Sequence, residues 1–253
     1  MPLAHAVILG IIQGFTEVLP ISSSAHLFLF PWLLKWNYQG LSFDVALHAG
    51  TALAFLVYFF FDWLEIVVAK RKLLFYIIIA TIPAAIAGFI LEEKAETVFR
   101  SPLLVASMLA LFAVILWFAD RSGRKAKTIN QLRFPAALQI GFAQALALIP
   151  GVSRSGITIT AGLFKGLDRE SAARFSFLLA TPIVIAAAVL KFIKLDASEL
   201  TLSFWLGIFF SALSGFAAIY FLLRFVRKCS LNIFVYYRII LAAVIFILYF
   251  RYK

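Results

Sequence analysis

Eight apolar regions run along this chain. Six are uninterrupted, and two are broken near their middle by residues that lipid excludes. The six continuous stretches cover about 45–61, 73–91, 102–119, 175–193, 203–223 and 233–250. Each has the roughly 17–25 residues that a helix needs to cross a bilayer. They lack the period-2 alternation of barrel strands, so their backbone groups must be satisfied within helices. The chain is 64% hydrophobic and 14% charged, with a mean hydropathy of +1.00. A soluble domain carries roughly a quarter charged residues. The sequence therefore predicts an all-α integral membrane protein, residues 1–253 forming one membrane domain.

The broken regions are 3–34 and 134–165. Gln13, Glu17, Pro20, Ser22, Ser23, Ser24 and His26 interrupt the first. Gln144, Pro150, Gly151, Ser153, Arg154, Ser155 and Thr158 interrupt the second. Each reads as two half-helices joined by a polar break, a shape tolerated at membrane depth only inside protein or against a cavity. Read as re-entrant hairpins, they sort the basic residues. Segments 62–72, 120–133, 165–174 and 224–232 hold fourteen Lys and Arg. The opposite side holds seven: Lys35, Lys94, Arg100, Lys191, Lys194, Arg251 and Lys253. The bias predicts the first side to be cytoplasmic and both termini to lie outside. It also accounts for the net charge of +11 without nucleic acid. Arg154 and Arg238 remain, one in a break and one inside the last span. The start of the chain is apolar but carries Gln13 and Glu17, and reads as mature protein rather than a signal peptide. The single cysteine, Cys229, excludes an internal disulfide.

The layout repeats. A broken hairpin followed by three spans occurs twice, in about 1–125 and about 129–253. Gly10-x-x-Gln13 leading to Pro20-x-x-Ser23 resembles Gly141-x-x-Gln144 leading to Pro150-x-x-Ser153. Three spans per half invert the second copy, an arrangement that places its site near the midplane, where discontinuous helices meet.

Gly10, Gln13, Gly14 and Glu17 fall on one helix face. The glycines admit another backbone closely. Glu17 must face the interior or water. Pro20 ends the helix, and Ser22, Ser23 and Ser24 stand at the start of the next half-helix, whose free N–H groups favour an anion. In the second break Gly151 turns the chain, Ser153 and Ser155 offer hydroxyls, and Gly156 permits close approach. Arg154 brings a planar cation suited to phosphate oxygens, and Thr158 follows one turn later. Each feature also has a plainer reading. The serines serve as caps, Gln13 and Gln144 as interhelical glue, His48 as packing, and Glu17 with Arg154 as a structural ion pair. The coincidence of two proline breaks, five serines, a His, a Glu and an Arg argues for a site that takes a phosphate-bearing ligand.

At this point Gln13-Gly-Phe-Thr-Glu17, Pro20-Ile-Ser-Ser-Ser-Ala-His26, Pro150-Gly-Val-Ser-Arg-Ser-Gly-Ile-Thr158 and Phe175-Ser-Phe-Leu-Leu-Ala-Thr-Pro182 can be read together. The sequence resembles the bacterial undecaprenyl-diphosphate phosphatases linked to bacitracin resistance, over nearly its whole length. The Pro-Gly-x-Ser-Arg-Ser-x-x-Thr motif is the specific one. Gln13 stands where many members have Glu, which removes one candidate metal ligand or base. The resemblance implies removal of the terminal phosphate of undecaprenyl diphosphate, recycling the carrier for cell-wall synthesis. It implies a divalent cation, Mg or Ca, and a site open to the outer face of the bacterial plasma membrane. Carried over by position, the functional residues are Glu17, Ser23, His26, Ser153, Arg154 and Thr158.

The resulting expectation has Ser23 as nucleophile, Glu17 or His26 as base, Glu17 as the metal ligand, and Arg154 as clamp. Gln13, Ser22, Ser24, Gly151, Ser153, Ser155, Gly156 and Thr158 would line the substrate. The expected partners are a polyprenyl diphosphate and the bilayer; a homo-oligomer is compatible with the sequence. The alternative is an inverted-repeat transporter or flippase for a phosphate-bearing lipid or other anion.

Overall fold

A computed structural model of the chain describes residues 1–36, 41–96, 101–123 and 126–251, without the side chains at 41–42, 92–96 and 191. Of the basic residues weighed above, Arg100, Arg124, Lys125 and Lys253 lie outside the described residues, as do the side chains of Lys94 and Lys191.

The described residues form eleven α-helices. The first region gives α1 (Leu3–Val18) and α2 (Ser23–Leu34); the second gives α7 (Phe134–Ala145) and α8 (Arg154–Phe164). These four run 11–16 residues, or about 16–24 Å at 1.5 Å per residue, short of a ~30 Å hydrocarbon core. Five helices are long and apolar enough to cross: α5 (Arg71–Glu96), α6 (Pro102–Arg121), α9 (Arg169–Phe192), α10 (Leu202–Lys228) and α11 (Asn232–Arg251). The sixth span departs from expectation. It is bent by 65° into α3 (Leu41–Tyr58) and α4 (Phe60–Val68). The bend has no proline or glycine; Phe59 sits between the helices at φ −98°, ψ 18°, in the sparsely allowed bridge region. Side chains such as Phe61 and Phe89 are 80% and 86% exposed, which water would penalise and lipid does not.

The hairpins open on opposite sides. His5, near the start of α1, stacks on Trp36, just after α2, at 3.8 Å. Met1 and Trp36 also pack in one cluster with Leu195 and Leu200. Both ends of the first hairpin thus lie beside the α9–α10 connection. The second hairpin opens beside the other loops. Lys127, before α7, pairs with Gly166 and Asp168, after α8. Asp120 accepts from Arg169 and from the amide of Leu231. Arg174 reaches Asp62, and Arg227 reaches Glu170. The four Lys- and Arg-rich segments therefore gather on one side.

The hairpins are held by helices from the other half of the chain. α1 runs parallel to α10, Gly10 against Gly207 and Phe210, Gly14 against Ser214 and Gly215. A Cβ at Gly14 would overlap the Ser214 hydroxyl and the backbone of Gly215, so only glycine allows this approach. Ser214 Oγ donates to Gly10 O at 3.3 Å. α7 packs in the same manner on α5, Gly141 against the backbone of Ala80.

Candidate active site

The tips of the two hairpins meet at Glu17. This carboxylate closes the polar face of α1 and is 7% exposed. Its Oε1 accepts from Arg154 Nη2 at 3.0 Å and, more loosely, from Nε at 3.4 Å. Its Oε2 accepts from Ser23 Oγ at 2.5 Å and from Gln13 Nε2 at 3.2 Å. Gln13 Nε2 also lies 3.2 Å from His48 Nδ1, which stands 3.9 Å from Glu17 Oε2. One carboxylate thus joins the first residue of α2 to the first residue of α8.

The local backbone explains why Ser23 and Arg154 converge. Each follows a serine held at positive φ, 74° at Ser22 and 71° at Ser153. That conformation is uncommon for a side-chain-bearing residue and aims the next residue inward. Ser22 Oγ lies 3.1 Å from Ser24 Oγ, and Ser153 Oγ lies 3.3 Å from Ser155 Oγ. Ser153 Oγ accepts from the Gly156 amide; Ser22 makes no such cap. The α2 amides are left without a side-chain acceptor, which suits an anion. Ser155 Oγ donates to Leu19 O at 3.1 Å, pinning one break to the other.

Two buried polar atoms near the ion pair, Arg154 Nη1 and Gln13 Oε1, have no partner among the described residues. An unmet guanidinium N–H costs free energy unless a ligand meets it, and a phosphate oxygen can. Phe55 covers Arg154 at 5.4 Å.

The other expected residues lie around this centre. Thr158 Oγ1 donates to Arg154 O at 2.7 Å and meets Ser176 Oγ of α9 at 2.6 Å. It steadies the turn that carries Arg154. Gly151 sits at φ 94° against Val105 of α6. Gly156 leaves room for Arg238, whose Nη1 would lie 2.8 Å from a Cβ there. His26 turns away from the carboxylate: Nδ1 meets Ser22 O at 2.7 Å and Nε2 meets Tyr237 OH at 2.6 Å. No described hydrogen bond joins His26 to Ser23 or Glu17.

Sequence reasoning passed over Arg238. It is fully buried in α11 and donates to four carbonyls: Leu109 O at 3.2 Å, Pro20 O at 3.4 Å, Gly151 O at 2.9 Å and Val152 O at 3.0 Å. The guanidinium therefore ties the two breaks and α6 together. An arginine inside an otherwise apolar span was the available signal.

Among the described residues no three His, Cys, Asp or Glu side chains group as a metal cage. The donor set offers Glu17 with neighbouring hydroxyls. It fits a hard cation held by one carboxylate with phosphate and water oxygens, rather than a site built from protein ligands alone.

Known proteins are similar to this chain over nearly its whole length. The chain is 51% identical over 253 residues to the undecaprenyl-diphosphatase of Thermodesulfovibrio yellowstonii, covering 98% of each. It is 49% identical over 253 residues to that of Moorella thermoacetica, covering 97% of each. It is 47% identical over 252 residues to that of Desulforudis audaxviator, covering 96% of this chain and 97% of the relative. The family model described as "Bacitracin resistance protein BacA" matches residues 6–244, and the chain belongs to that family.

Proposed function

We infer that this protein is a membrane phosphatase that hydrolyses undecaprenyl diphosphate to undecaprenyl phosphate and inorganic phosphate, returning the lipid carrier to cell-wall synthesis. The names of relatives that match it end to end support the substrate. The observation that carries the chemistry is the Ser23–Glu17–Arg154 chain of hydrogen bonds.

In the proposed reaction Arg154 and the uncapped amides of α2 bind the diphosphate. Glu17 takes the proton of Ser23 as Ser23 Oγ attacks the terminal phosphorus. The bond from that phosphorus to the bridging oxygen breaks, and undecaprenyl phosphate leaves. Glu17 gives the Ser23 proton to the departing undecaprenyl phosphate. Water then attacks the phosphoserine, and Glu17 takes a proton from it and returns one to the Ser23 oxygen as the Ser23 Oγ–phosphorus bond breaks, releasing orthophosphate. Arg154 stabilises the charge on the transferred group. Ser22, Ser24, Gly151, Ser153, Ser155, Gly156 and Thr158 shape the cradle. Gln13 holds Glu17 in place. His26, anchored to Tyr237, keeps α2 aligned rather than serving as base. A divalent cation bound by Glu17 and substrate oxygens would neutralise phosphate charge.

The two halves, about 1–125 and 129–253, are read as inverted repeats. The gathering of the basic segments on one side favours both termini outside, and a site reached from the outer face of the bacterial plasma membrane.

Purified protein in detergent should release orthophosphate from undecaprenyl diphosphate, and a chelator should slow it. Absence of release from intact, correctly folded protein would overturn the assignment.

A further inference from the structure

Away from the two breaks, the segment 126–133 and the ends of α5, α7 and α8 border two adjoining open depressions of about 220 and 380 Å³. Lys127, Gln131, Leu132 and Arg133 line both; Lys165 closes one and Lys72 the other. The lining holds four cations and no carboxylate. Its floor is apolar, with Leu132 and Leu167 buried and Pro135 and Ala136 beside them.

The frame is built rather than loose. The Lys127 amide donates to Gly166 O at 3.0 Å, and its carbonyl accepts from Asp168 N at 2.9 Å. Lys127 Nζ donates to Lys165 O at 3.1 Å. None of the four lining cations is in an ion pair among the described residues. On the same side Arg169, Arg174, Arg227 and Lys70 each have a carboxylate. The groove therefore concentrates positive charge that no carboxylate among the described residues pairs with. Exposed apolar surface adjoins it: Phe75 and Phe134 stack at 6.0 Å beside it and are 51% and 39% exposed.

We propose that this groove binds the phosphate headgroup of an anionic membrane lipid. The headgroup sits among Lys72, Lys127 and Arg133, and the acyl chains run along Phe75 and Phe134. Basic pockets at helix ends have the charge such headgroups need. The proposal does not depend on the phosphatase reading.

Native mass spectrometry of the full-length protein in detergent tests it, with phosphatidylglycerol, phosphatidylcholine and inorganic phosphate as probes. Lys127→Gln, Arg133→Gln and Lys72→Gln should each weaken phosphatidylglycerol retention by about fivefold. Lys228→Gln, on the same side but outside the groove, should leave it unchanged. The proposal fails if phosphatidylcholine is retained equally, or if Lys228→Gln weakens retention as much as Lys127→Gln. Displacement of phosphatidylglycerol by an equal concentration of inorganic phosphate would also overturn it, assigning the groove to free phosphate.

Discussion

The two hairpin breaks share a backbone and differ in what they hang on it. Ser22 and Ser153 adopt nearly the same positive φ, and each meets the serine two places on. The equivalence holds at a constant offset of 131 residues, which also pairs Gly10 with Gly141 and Gln13 with Gln144. It pairs Ser23 with Arg154, and both reach the same carboxylate. It pairs Glu17 with Leu148. Two breaks of like backbone thus supply a hydroxyl from one and a cation from the other, while only the first keeps the acid between them. In the proposed reaction the chemistry resides in the residue directly after the strained serine, not in the shared frame.

Breaking that asymmetry should have graded effects. Ser23→Ala should lower kcat at least about 10³-fold while substrate still binds; phosphate release and lipid retention together check this. A variant turning over at the parent rate would remove Ser23 from the nucleophile role. Glu17→Gln keeps the shape but not the base, and should cost about 10²–10⁴-fold in kcat. Adding Leu148→Glu should not restore it, because the second break has no hydroxyl at the matching place. Arg238→Met strands four carbonyls and should destabilise the fold by about 3 kcal/mol, read as a lower unfolding midpoint in detergent. The smallest contrast lies between the two glutamines. Gln13 bonds Glu17, and Gln13→Leu should reduce kcat about tenfold. Gln144 is buried with neither end partnered among the described residues, so Gln144→Leu should leave activity alone and change stability by no more than about 1 kcal/mol.

Much of this arrangement was legible in the sequence, because hydropathy and proline act locally. The continuous spans follow from apolar length, and both breaks follow from Pro20, Pro150 and the polar residues beside them. Glu17 and Arg154 stood out because lipid penalises them. The register between the breaks did not. Aligning the prolines pairs Ser23 with Ser153, whereas backbone conformation pairs Ser22 with Ser153, since the proline sits one place differently in each copy. The bend at Phe59 has no proline or glycine to announce it. The task of Arg238 was hidden for another reason: its carbonyl partners lie up to 218 residues away, and carbonyls have no residue identity to read. The pairing of His26 with Tyr237 across 211 residues is likewise a property of packing alone.

The parallel seating of α1 on α10 has a bearing on how the chain is made. The glycine face of α1 is complete as soon as α1 itself has been made, yet its seat on Ser214 lies 204 residues downstream of Gly10. At about 5–20 residues per second, the wait is roughly 10–40 s. For most of that wait Glu17 also lacks its guanidinium, which lies 137 residues ahead. The first hairpin therefore cannot take its seat on α10 until most of the second half has been made.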